Sequence, residues 1–78
     1  MRYGKSIFKG VGRVHQETVD REVRKLAAKY KGELTDLEMS TQLMKIGYRV
    51  EWHNMEHDAE LSERGIVWQA DIHPPMGS

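Results

Sequence analysis

The chain has 78 residues, with 12 lysines and arginines balanced by 12 acids and a hydrophobic fraction of 38%. A length of this order leads us to expect one small core and no separate catalytic module. The absence of cysteine excludes a disulfide framework and a thiolate zinc site, and no apolar run reaches the ~20 residues that a membrane helix needs.

The zero net charge conceals an asymmetry. Residues 1–31 carry nine Lys/Arg against three acids and residues 32–78 carry three against nine, so the halves stand near +6 and −6. The opening MRYGKSIFKG is charged but lacks the apolar stretch of a signal peptide, so a cytoplasmic location is expected. Residues 1–75 are expected to form a single domain, with 76–78 read as a disordered tail or cloning remnant.

In chain order, the first fourteen residues place Ile7, Phe8, Val11 and Val14 among three glycines, the pattern of an irregular or bulged strand. Gly4-Lys5-Ser6 is not a phosphate-binding loop, since that motif needs a strand and a further glycine ahead of the Gly-Lys pair. The run from Lys9 to Val14 has the basic-glycine opening of an RNA-recognition strand but lacks its stacking aromatics.

Residues 17–31 are the clearest element. Val19, Val23, Leu26, Ala27 and Tyr30 recur at helical spacing and define one apolar stripe. Thr18 is the expected N-cap, and Gly32 is expected to end the helix in a left-handed conformation. Opposite the stripe lie Arg21, Arg24, Lys25, Lys29 and Lys31, and the preceding arm adds Arg2, Lys5, Lys9 and Arg13. Cations on a glycine-rich backbone suit contact with phosphates, although a solvated helix face is the plainer reading.

Next, Leu37, Met39, Thr41 and Leu43 alternate, which favours a strand over 33–41 that forms a hairpin with its successor. The competing reading is a helix over 36–46 stopped by Gly47. From 44 to 52 the even positions Met44, Ile46, Tyr48, Val50 and Trp52 are apolar or aromatic, predicting a strand with that face in the core. Residues 58–64 are compatible with one or two helical turns or a loop. From 65 to 73, Ile66, Trp68, Ala70 and Ile72 again alternate with polar residues. Trp52, Trp68 and Tyr48 are assigned to the space under the helix.

The stretch WHNMEHD, residues 52–58, brings His53 and His57 close in sequence. Two histidines four apart share a face only on a helix, and here His53 ends a strand, so they are weak candidates as metal ligands. His73, on an antiparallel return strand, is expected on the order of 27 Å from the loop. No metal site and no cofactor are expected on this basis. Ser6, Ser40 and Ser62 sit in no nucleophile context, and no catalytic residues are expected.

The expected fold is therefore α+β: one main amphipathic helix on a curved, mainly antiparallel sheet of about four strands, in a β-α-β-β-(short α)-β order that matches a ferredoxin-like pattern. The expected function is a small non-catalytic binding module of the regulator, adaptor or inhibitor type. It would dock electrostatically on a protein or nucleoprotein partner through its basic face and an acidic face of Glu51, Glu56, Asp58, Glu60 and Glu63. Direct RNA or DNA binding by the basic arm and helix is the alternative. A small metal-dependent enzyme using the His53/His57 region is the second. A membrane partner is not expected, and dimerisation stays open.

Overall fold

A computed structural model describes residues 5–75. Its elements are β1 (Lys5–Gly10), α1 (Gln16–Lys29), α2 (Asp36–Lys45), β2 (Arg49–Asn54), α3 (Ala59–Glu63) and β3 (Ile66–His73). Arg2 and the segment 76–78 lie outside the described residues.

The strand order is β1-β3-β2, so the last strand occupies the centre. It runs parallel to β1 and antiparallel to β2. The helices α1 and α2 form one layer against this sheet, α1 over β1 and α2 over β2. Central position explains the burial of β3: Ile66, Ala70 and Ile72 are almost wholly removed from water. Across Ala70, Phe8 and Trp52 meet edge-to-face with ring centroids 6.2 Å apart. Leu43 and Val19 of the helices complete the core with Val14, Leu26 and Met39.

The helix predicted over 17–31 forms, but its ends differ. His15, not Thr18, is the N-cap residue and contributes no side-chain bond. Instead Gln16 fixes the start: its Oε1 accepts from the Gly10 amide at 2.9 Å, and its Nε2 donates to the Phe8 carbonyl at 2.8 Å. The backbone passes so closely here that a Cβ at Gly10 would collide with the Val14 carbonyl, which is why glycine ends β1. At the other end, the Lys31 amide bonds the Ala28 carbonyl and the Gly32 amide bonds that of Ala27 at 2.8 Å. This paired closure places Lys31 itself in the left-handed region, at φ 57°. Gly32 follows in the left-handed conformation expected of it, at φ 71°, so the turn that ends the helix spans both residues.

The strand favoured over 33–41 does not form; α2 occupies it. Thr35 and Glu38 cap this helix reciprocally, Thr35 Oγ1 accepting from the Glu38 amide and Glu38 Oε1 accepting from the Thr35 amide at 2.9 Å. Met39, Ser40 and Leu43 face inward, a helical set, while Leu37 and Thr41 face out. The buried Ser40 hydroxyl donates to the Leu37 carbonyl at 2.7 Å, so it enters the core satisfied. The strand predicted over 44–52 consequently shortens to β2, and Met44 and Ile46, expected in the core, are exposed. The sheet has three strands among the described residues rather than four, and it is mixed. The ferredoxin-like order does not arise, because α2 replaces the strand that it requires. No helix of the described residues is long and apolar enough to cross a membrane.

Candidate functional site

Two places on the surface combine chemistry with geometry. The first is the sheet face turned away from α1 and α2. Alternation puts Arg49, Glu51 and His53 of β2 there, beside Gln69, Asp71 and His73 of β3. The antiparallel register pairs Glu51 with Asp71 and His53 with Gln69. His53 Nε2 lies 3.1 Å from Asp71 Oδ2 and 3.7 Å from Glu51 Oε2. On its other side Glu51 Oε1 is 3.1 Å from His73 Nε2. Gln69 Nε2 donates to the remaining Asp71 oxygen, Oδ1, at 2.7 Å.

The WHNMEHD stretch thus divides differently from the expectation. His53 joins a cluster, and its neighbours there come from β3 and from Glu51, not from His57. His57 is exposed in the turn after β2 and has no place in the convergent group. The expected remoteness of His73 measures from the loop; the cluster centres four residues back along β2, where His73 comes within reach through Glu51. Asp71 was not a candidate. The polar alternation on both strands was visible, but only the register brings them together.

The second place is an apolar groove of about 250 Å³ between the first turn of α2 and the start of β3, lined by Ser6, Thr35, Asp36, Leu37, Trp52 and Trp68. Both tryptophans are only half-buried, and Trp68 stands outside the core cluster to which the sequence assigned it. Leu37 is 51% exposed at the rim, and Met44, two turns on and so on the same side of α2, extends an exposed apolar ridge, while Ile46 is exposed past the helix end. Glu33, Asp36 and Glu38 give the Leu37 end of this ridge an acidic border.

The predicted charged faces are partly absorbed by structure. On α1, Arg21, Arg24, Lys25 and Lys29 are exposed as expected. Lys25 pairs with Glu22 at 3.6 Å, and Lys29 Nζ sits 5.5 Å from the centre of the Tyr30 ring. Lys31 is exposed past the helix end, Lys5 and Lys9 are exposed on β1, and Arg13 lines a second cavity with Tyr48 and the prolines 74 and 75. Of the acidic set, Asp58 caps α3 by accepting from the Leu61 amide at 3.0 Å. The Glu56 amide donates to Asn54 Oδ1 at 3.0 Å in the turn after β2. Glu56, Glu60 and Glu63 remain exposed, whereas Glu51 belongs to the histidine cluster. Comparison with protein-family models, with curated proteins and with solved structures finds no match.

Proposed function

We propose that the chain is a small non-catalytic binding module that docks a protein partner at the tryptophan groove and the adjoining ridge of α2. The observation that carries this reading is the placement of two half-buried tryptophans beneath an exposed leucine, with exposed Met44 on the same side of α2. Large aromatics at a recessed position beside exposed apolar groups are the usual anchors of a protein interface. The acidic border selects a partner whose apolar anchor is flanked by lysine or arginine. The basic face of α1 then serves to orient the approach, since opposite poles steer association.

Affinity capture from the native host, comparing wild type with Leu37→Arg, tests it. Leu37 is half exposed, so the substitution leaves the core intact. A partner retained by wild type and lost by the variant is expected, and its purified form should alter tryptophan fluorescence on binding. An identical partner list for both proteins sinks the reading. Gel shifts with mixed RNA and DNA at low salt supply the competing outcome. Retardation abolished by Arg21→Glu, Arg24→Glu and Lys25→Glu together would put nucleic acid in place of the protein partner. For the acidic side, Glu56, Glu60 and Glu63 are the residues to reverse; Asp58 is left out because it caps α3.

A further inference from the structure

We infer that Glu51, His53 and Asp71 form a binding site for a divalent transition-metal ion of the zinc class on the open face of the sheet. One ligand atom from each of the three residues falls within 4.8 Å of the others. Zinc bonds of about 2.0–2.1 Å set neighbouring tetrahedral ligands roughly 3.3 Å apart. The observed separations of 3.1 Å between His53 and Asp71 and 3.7 Å between His53 and Glu51 bracket that spacing. Two of the three separations thus already suit a shared ion, and the third, between Glu51 and Asp71, lies within 4.8 Å.

The donor set determines the class of ion. One imidazole nitrogen with two carboxylate oxygens suits zinc and its first-row neighbours, whereas calcium asks for six to eight oxygens and magnesium for near-octahedral oxygen coordination. Two of the groups around the donors match what metal sites require, while Lys9, across from Asp71 on β1, adds a cation that opposes the ion. Gln69 holds Asp71 Oδ1 at 2.7 Å, which leaves Oδ2 directed at His53. His73 stands 3.1 Å from Glu51 Oε1, leaving Oε2 on the His53 side. Such partners orient ligand oxygens and raise affinity. All three ligands sit on paired strands, Glu51 directly across from Asp71, so their backbone spacing is fixed by the ladder. Three protein donors leave coordination positions for water.

The test is calorimetric titration of the chelator-treated full chain with zinc chloride in a non-coordinating buffer. One zinc per chain is expected, with calcium and magnesium giving no heat at the same concentrations. His53→Ala and Asp71→Asn should each weaken zinc binding by at least about tenfold, His73→Gln by about tenfold through the loosened Glu51, and His57→Ala by less than about twofold. Asp71→Asn keeps the side-chain shape, so an unchanged melting temperature in chelator separates loss of a ligand from loss of fold. Zinc should raise the melting temperature of wild type but not of Asp71→Asn. Zinc binding that survives both His53→Ala and Asp71→Asn, or that falls equally with His57→Ala, overturns the site. Failure to bind zinc at all does the same, and leaves the groove reading untouched.

Discussion

Lys31 carries a conformation that a lysine ordinarily avoids. Its φ of 57° places Cβ against its own carbonyl, and the helix closure through Ala27 and Ala28 holds it there. For an L-residue that geometry costs about 1–2 kcal/mol, a cost glycine does not bear. Lys31→Gly is therefore expected to stabilise the fold by about 1 kcal/mol, after allowing for glycine's greater freedom when unfolded. In a domain of this size that corresponds to a rise of about 4–8 °C in melting temperature, measurable by circular dichroism. An unchanged or lower value would mean that the lysine side chain itself contributes at this position. The sequence offered Gly32 as the left-handed stop, and Gly32 takes that conformation at φ 71°; that Lys31 takes it as well depends on backbone closure that side-chain identity alone does not specify.

At the level of elements, α2 is where periodicity misleads. Leu37, Met39, Thr41 and Leu43 satisfy a period of two, yet Met39 and Leu43 also satisfy a helical step of four. A short segment fits both, and the decision lies outside the apolar positions, in the Thr35-Glu38 pair that starts the helix. Thr35→Ala is expected to cost about 1 kcal/mol, read from urea unfolding. The same cap is sensitive to acid. The Thr35 backbone amide, then its hydroxyl, hold the Glu38 carboxyl below its ordinary value of 4.5. A carboxyl lowered in this way adds stability that is complete above its unfolded value and fades as pH falls through the folded one. Glu38→Gln should accordingly flatten the stability profile below about pH 4.5, while leaving its neutral-to-basic limb parallel to wild type. By contrast the body of α1 was legible, because its stripe from Val19 to Tyr30 spans three turns and fits no strand; its start was not, since Gln16 fixes it through Gly10 and Phe8 rather than through a Thr18 cap. The histidine cluster was half legible: the outward alternation on β2 and β3 is in the sequence, but pairing Glu51 with Asp71 is a long-range register that no local pattern encodes.

For the whole molecule, one side chain joins the layers. Leu43 is completely buried at the centre of the cluster that unites both helices with β3. Domains of this size are stabilised by about 4–12 kcal/mol, at 0.05–0.15 kcal/mol per residue. Leu43→Ala removes about 2–5 kcal/mol of that, so it should lower the urea midpoint sharply or leave a visibly unfolded fraction at 37 °C. Retention of wild-type stability would show that the helices close the space left behind. Charge is arranged at the same scale: the cations of α1 lie on the helical side of the molecule, and the carboxylates of Glu51 and Asp71 on the far side of the sheet.

The central position of β3 has a consequence for how the chain acquires its shape. Among the described residues β1 and β2 are not neighbours; each bonds to β3, the last of the three to be synthesised. Until residue 66 has left the ribosome, neither earlier strand has a partner, and the apolar faces of Phe8, Val50 and Trp52 have no sheet to join. When β3 emerges, it meets β2 at separations of 14 to 24 residues and β1 at separations above sixty, such as Ser6 with Trp68. Pairing at such separation is slow compared with helix formation. Until β3 arrives, the chain lacks the completed sheet against which its helices pack, and its exposure to chaperones and proteases lasts until that strand pairs.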